Sequence, residues 1–263
     1  MELEIYQVDA FTDKLFSGNP AAVVPLDNWL SDDVLQNIAA ENNLAETAFY
    51  IPEGDHFHIR WFTPTNEVEL CGHATLAVAY VVDLKGGFDR AEIAFNSLSG
   101  ILKVEKLEDQ FILDFPRADA VKISTPNWIK SCFEFETTAV FQCDRDIMLV
   151  YDNESIIEKI VPNLMLLKDV KARGVIVSSL SDEIGVDFVS RFFAPASGID
   201  EDSVTGSSHT SLAPYWSSVL NKDSLVAKQI SKRGGVLHCE VLENRVKIRG
   251  RGKLFLKGVI QLD

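Results

Sequence analysis

Three short stretches hold the residues best suited to chemistry. Asn43-Leu44-Ala45-Glu46-Thr47-Ala48-Phe49 sets a carboxylate at the head of an apolar strand. Glu69-Leu70-Cys71-Gly72-His73 sets a thiol and an imidazole around one glycine, and Asp202-Ser203-Val204-Thr205-Gly206-Ser207 sets an acid and hydroxyls around another. A carboxylate with an imidazole is the usual equipment for moving a proton to or from carbon. Each group also has a plainer role. An acid such as Glu46 at the head of a strand is ordinarily solvated, and a histidine at a helix mouth is ordinarily a hydrogen-bonded cap. Asp202 and Ser207 could simply cap the helix that follows.

The elements behind these stretches strengthen the chemical reading. The sequence predicts helices over 73–82 (HATLAVAYVV) and 208–220 (SHTSLAPYWSSVL), both apolar nearly all round, so each must be enclosed rather than laid on a surface. A helix N-terminus presents unpaired N–H groups and a partial positive charge, which suits an anion. Gly72 and Gly206 would let the backbone approach a ligand closely. Two such termini facing one another across an interdomain cleft would hold a small carboxylate. Pro214 falls one turn into the second helix, where a kink is expected but not a break.

The same two settings repeat. Arg60-Trp61-Phe62-Thr63-Pro64-Thr65 matches Arg191-Phe192-Phe193-Ala194-Pro195-Ala196 class for class, at an offset of 191 − 60 = 131. Each copy follows an alternating strand and leads through an acidic loop to a glycine and an enclosed helix. Further on, His73-x-x-Leu76-Ala77 echoes His209-x-x-Leu212-Ala213, which places His73 and His209 together at the two helix mouths. Since twice 131 is 262, the chain of 263 residues reads as two homologous halves, 1–118 and 119–263.

Elsewhere, short β-branched or aromatic runs predict strands at 1–10, 48–51, 56–62, 93–95, 101–105, 111–115, 174–179, 186–193, 236–242 and 245–249. Helices are expected at 31–42, 153–161 and 223–231, the first opening on Ser31 with two acids behind it.

Composition narrows the partners. Lys plus Arg number 25 against 39 Asp plus Glu, a net charge of −14 that argues against a nucleic-acid surface. Lys247, Arg249 and Arg251 alternate without interleaved aromatics and read as a solvated strand face. No apolar run approaches the ~18 residues of a membrane span, and the acidic N-terminus lacks a signal-peptide pattern. Cys71, Cys132, Cys143 and Cys239 lie far apart, as reduced thiols of a cytoplasmic protein would. His56-x-His58 has no third ligand at metal spacing, and no metal site is expected. No dinucleotide or Walker motif is present, so a nucleotide cofactor is not indicated, and without a nucleophile elbow serine hydrolysis is weakly supported.

At these motifs the chain resembles the PhzF-like family of phenazine-biosynthesis-type proteins, within the diaminopimelate-epimerase-like fold. The matching stretches are Asp9-Ala10-Phe11-Thr12 with Phe16-x-Gly18-Asn19-Pro20-Ala21-Ala22-Val23, Asn43 to Thr47, Arg60-x-Phe62-Thr63-Pro64 and Glu69-x-Cys71-Gly72-His73-Ala74-Thr75. Arg191-x-Phe193-Ala194-Pro195 through Asp202-x-Val204-Thr205-Gly206-Ser207 completes them. The resemblance implies an α+β protein of two pseudo-twofold-related domains, each a mixed barrel-like sheet around a central helix, with the site in the interdomain cleft and the last strand returning to the first domain. It implies isomerisation by proton transfer without a cofactor, in a homodimer, on a small anionic substrate. Residue by residue it makes Glu46 the general acid/base, with His73 and Asp202 as catalytic partners. Gly72, Gly206, Ser207 and Asn19 would then contact substrate. Two other readings stand beside it: a two-thiol amino-acid racemase using Cys71, whose counterpart is Thr205, and a non-catalytic protein that binds small acids.

Overall fold

The computed structural model describes residues 1–88 and 90–262. They form two compact units that divide between Asp114 and Phe115, a little ahead of the boundary read from the sequence; the chain from Arg249 onward belongs to the first unit.

The first unit opens with β1 (Glu2–Ala10), β2 (Asn19–Pro25), α1 (Asp32–Asn42), β3 (Glu46–Glu53), β4 (His56–Phe62) and β5 (Glu67–Val68). It continues through α2 (Gly72–Leu84), β6 (Glu92–Ser97), β7 (Gly100–Leu107) and β8 (Gln110–Pro116), the strand along which the chain leaves it. β1 runs antiparallel to β2, β2 parallel to β3, and β3 antiparallel to β4; β4 takes β5 antiparallel and β6 parallel, and β6 pairs antiparallel with β7. Ala21–Val24 are buried without alternation, because this sheet is covered on both faces. Leu35, Ile38 and Ala39 of α1 join Val24, Leu26, Phe49 and Phe62 in one apolar cluster. α2 lies against β1, β2 and β3 and is buried from His73 through Ala79. A helix with no polar face thus finds the enclosure it needs.

The second unit contains β9 (Ala120–Ile123), α3 (Ile129–Cys132), β10 (Ala139–Cys143), β11 (Asp146–Val150), α4 (Glu154–Lys159), α5 (Leu164–Leu167) and β12 (Val175–Leu180). There follow β13 (Phe188–Ala194), β14 (Ile199–Asp202), α6 (Gly206–Leu220), β15 (Ser224–Gln229), β16 (Gly235–Val241) and β17 (Arg245–Gly250); β18 (Gly252–Gln261) then pairs with β1 in the first unit. β10 is antiparallel to β11, β11 parallel to β12, β12 antiparallel to β13; β13 takes β14 antiparallel and β15 parallel, and β15 pairs antiparallel with β16. That is the pairing order of β1 to β7, so the sequence repeat is a repeat of topology. α6 runs unbroken through Pro214.

One expected helix is a strand. Residues 223–231 contain β15, in which Leu225, Ala227 and Gln229 alternate inward between β13 and β16. A period-2 burial pattern won over a cap-like Asp223-Ser224 start. Ser31 precedes α1 but its side chain makes no capping bond. No helix among the described residues is long and apolar enough to cross a membrane, and all four cysteines are free and buried.

Gly18 shows why the turn into β2 has its sequence. Its φ of 69° lies in the left-handed region, and a Cβ there would stand 2.3 Å from the Ala10 carbonyl oxygen and 2.6 Å from Thr12 Cγ2. Both the backbone conformation and the close approach require glycine. Gly18→Ala is expected to destabilise the protein by about 2–3 kcal/mol, measured as a lowered urea midpoint at unchanged slope.

Candidate active site

In the first unit, four of the residues singled out from the sequence converge. Asn19 is the first residue of β2 and Glu46 the first of β3, and the parallel register sets Ala21 opposite Glu46. Asn43, at φ 49°, closes α1 by donating its N–H to Ala39 O, and Asn42 Nδ2 donates to Thr47 Oγ1 at 3.1 Å. These bonds fix where β3 begins, and with it the carboxylate. Cys71 precedes the first turn of α2, which carries Gly72 and His73; Thr75 Oγ1 donates to the Cys71 carbonyl at 2.6 Å.

The side chains meet at the imidazole. His73 Nε2 stands 3.1 Å from Glu46 Oε2, Asn19 Nδ2 lies 3.2 Å from His73 Nδ1, and Cys71 Sγ lies 3.5 Å from the same nitrogen. The Glu46 contact is close but out of line for a hydrogen bond. Its Oε2 is therefore buried with no hydrogen-bond partner among the described residues. Burial works against a charged His73, yet its neighbours Cys71 and Glu46 outweigh burial and hold its pKa well above the ordinary imidazole range. Burial also pushes the Cys71 thiol up. The thiol thus stays neutral, and the charge that sustains an imidazolium is the Glu46 carboxylate.

In the second unit, Asp202 ends β14 and Thr205 precedes α6. Thr205 Oγ1 donates to Asp202 Oδ2 at 2.5 Å, and the Thr205 N–H donates to Gln229 Oε1 at 2.8 Å. Gln229 Nε2 in turn donates to the Asp202 carbonyl at 2.8 Å. Ser207 Oγ accepts from Arg173 Nη1 at 2.9 Å, and the Arg173 guanidinium is clamped by both oxygens of Asp146. Sequence reasoning passed over Arg173, Asp146 and Gln229. Each reaches the α6 terminus from a distant stretch, and nothing in its own neighbourhood marks it.

The helix starts also correct the alignment of the halves. Cys71 and Thr205 precede the helices, Gly72 and Gly206 come first, and His73 and Ser207 come second. His209 is therefore the counterpart of Thr75, not of His73, and each bonds the carbonyl four residues back. His209 does not sit at the helix mouth. It is fully buried, its Nδ1 donates to Thr205 O at 2.8 Å, its ring stacks on Phe188, and burial lowers its pKa to about 4.

That pKa has a consequence for stability. In the unfolded chain His209 takes a proton near 6.5, in the fold only near 4, so between these values the unfolded state binds more protons. Stability should fall by roughly 3 kcal/mol as pH drops through this window. Urea midpoints measured from pH 7 to 4.5 should show a shallower decline for His209→Asn, whose amide can still reach the carbonyl. Parallel declines would mean that another group controls the acid limb.

The repeated arginines turn out to be struts. Arg60 makes a two-point contact with Glu67 at 2.7 Å and lies over the Phe62 ring. Arg191 does the same with Glu201 and Phe193. His56 pairs with Glu53, and His58 meets the edge of Trp29.

The family model described as "Phenazine biosynthesis-like protein" (PhzC-PhzF) matches residues 8–258. A Pseudomonas aeruginosa protein named "uncharacterized isomerase" is 45% identical over 262 residues, covering 100% of both chains. The crystal structure of a PhzF-family phenazine biosynthesis protein from Enterococcus faecalis, also 45% identical, superposes with a TM-score of 0.96 over 100% of both. At 13% identity, a hydroxyproline epimerase from Agrobacterium vitis covers 100% of this chain and 93% of its own with a TM-score of 0.63, a likeness of fold.

Proposed function

Because the chain belongs to the phenazine biosynthesis-like (PhzC-PhzF) family, we propose that it is an isomerase that moves a proton on a small carboxylate-bearing metabolite without a cofactor. The observation that carries this reading is the Glu46–His73 contact, with one carboxylate oxygen buried and given no hydrogen bond among the described residues. A carboxylate committed to structure would have its lone pairs filled. This one is held close to a fixed imidazole and left able to accept.

In the proposed reaction Glu46 accepts a proton from the carbon next to the substrate's carboxyl group. It then returns that proton to another carbon, or to the same carbon with inverted configuration, so charge and atoms balance without an oxidant. His73 keeps the base close and positively flanked, and Asn19 fixes the ring from its other side. N–H groups of the first turn of α2, beginning at Gly72, are free of helix bonds and suit the substrate's carboxylate. Negative charge that develops on the substrate would be stabilised by the same groups. Asp202, Gly206 and Ser207 at the head of α6 are assigned to substrate contact, with Asp202 as a second proton-handling group.

The two-thiol alternative is disfavoured. Thr205 stands where a second cysteine would be needed, and its hydroxyl is already engaged by Asp202. The test is a panel of small amino and hydroxy acids incubated with dialysed protein, products of unchanged mass being separated by chiral chromatography. Isomerisation without added cofactor is expected for at least one compound. Tight binding of panel members with no turnover would instead favour a binding protein on this fold.

A further inference from the structure

Aligning the halves by their helix starts gives the Asn19–Glu46–His73 cluster a counterpart in the second unit. In the first unit, the second residue of α2, His73, is flanked by Asn19, the first residue of β2, and by Glu46, the first residue of β3. The parallel pair β11 and β12 corresponds to the parallel pair β2 and β3. The second residue of α6, Ser207, is reached by Arg173, two residues ahead of β12, and Arg173 is held by Asp146, the first residue of β11. The repeat thus sets Asp146, Arg173 and Ser207 in the places of Asn19, Glu46 and His73, with different chemistry.

The guanidinium is fixed on several sides. Asp146, only 4% exposed, accepts from Arg173 Nε and Nη2 on its two oxygens. The Arg173 backbone N–H donates to the Arg145 carbonyl at 2.7 Å, and the guanidinium carbon lies 5.3 Å from the centre of the Phe192 ring. That ring packs so closely on Gly174 that a Cβ there would stand 2.3 Å from it. An ion pair of this kind adds little stability over an apolar pair of the same volume, but a two-point fork fixes direction. The direction is toward Ser207, whose Oγ lies 2.9 Å from Nη1. Arginine has no acceptor, so the serine oxygen accepts, and its own proton meets no acceptor among the described residues. We infer that Arg173, fixed by Asp146, is a positioning residue that holds the Ser207 hydroxyl as a hydrogen-bond donor to an oxygen acceptor of the substrate, a carboxylate or a carbonyl. This role rests on the isomerase reading, in which Ser207 contacts substrate.

Arg173→Met alone would strand the buried Asp146 carboxylate, so the two are exchanged together, Asp146→Leu with Arg173→Met, an apolar pair that keeps the volume. That pair variant, Ser207→Ala and the combination of all three would be compared with the wild type on small amino and hydroxy acids, by calorimetric binding and by turnover. Ser207→Ala is expected to weaken binding about 10- to 100-fold, as for one hydrogen bond to a charged group, and to raise KM alike with kcat within about threefold. The pair variant should lose at least about fivefold in the same way. The combination should bind no more weakly than Ser207→Ala, because Arg173 acts only through that hydroxyl. Arg173→Lys, which keeps the charge but not the fork, should repeat the loss of the pair variant, and it replaces that variant if the apolar pair does not fold. Unchanged binding in the Arg173 variants, or losses that multiply in the combination, would take the positioning role from Arg173. Unchanged binding and KM in Ser207→Ala would remove Ser207 from the substrate and the role of Arg173 with it. The expected pattern in binding without turnover by the wild type would keep that role and remove the isomerase reading. A wild type that binds none of these acids would overturn both.

Discussion

Glu46→Gln is expected to lower turnover by about 10²- to 10⁴-fold, the contribution of a positioned general acid/base. Glutamine keeps the shape of the side chain but can neither take nor return a proton. The variant should still fold, since the strand bonds of β3 to β2 and β4 are backbone bonds, and what it loses is the stabilisation from the Glu46–His73 pair. A second readout separates chemistry from folding. His73 is held well above the ordinary imidazole range in part by Glu46, so the histidine resonance in the variant should titrate at lower pH. The sign follows from the raised value. In the wild type the stabilisation from this pair is complete below about 6.5 and is lost as pH climbs through the folded pKa. The variant should lack that alkaline decline. Unchanged turnover within about tenfold would remove Glu46 as the proton carrier.

The largest effect on stability is expected at Arg191. Its guanidinium meets both oxygens of Glu201, at 2.7 and 3.0 Å, and its Nη1 donates to the carbonyls of Ile157 and Ile160 at 3.0 and 2.7 Å. Leucine there would leave an unpaired carboxylate and two carbonyls without a donor, a loss of about 3–5 kcal/mol. Arg60→Leu is the internal control. Arg60 has the same two-point contact with Glu67, but its other acid is the exposed Asp32. The loss there should be nearer 1–2 kcal/mol, since exposed pairs contribute little. Denaturant midpoints of the two variants measure the difference directly. Equal losses would show that the carbonyl bonds of Arg191 carry no weight.

This contrast also shows what could be read in the chain beforehand. The Arg-x-Phe-x-Pro repeat marked two halves, and the matched order of strand pairings confirms the repeat. The two helices apolar all round were legible because a helix without a polar face has one physical solution, enclosure. Asn19, Glu46, Cys71 and His73 each lay in a visible motif, but their convergence did not show, since β2, β3 and α2 are brought together only by sheet register. Arg173 and Asp146 were illegible for a related reason: the Arg173 bond to Ser207 spans 34 residues and three intervening strands, and Asp146 reaches that serine only through Arg173. The His73–His209 echo misled because residue type was matched ahead of helix start. Once Gly72 and Gly206 are aligned, His209 falls a half-turn deeper and becomes a buried structural group.

The most direct measurement is solvent isotope exchange. Wild type and Glu46→Gln would each be incubated in D₂O with a small carboxylate that both bind, and the recovered compound analysed by mass spectrometry and NMR. A proton carried by Glu46 and exchanged there with solvent predicts deuterium at the carbon to which Glu46 delivers it with the wild type, and none above background with the variant. Labelling by the variant at the wild-type rate would contradict it.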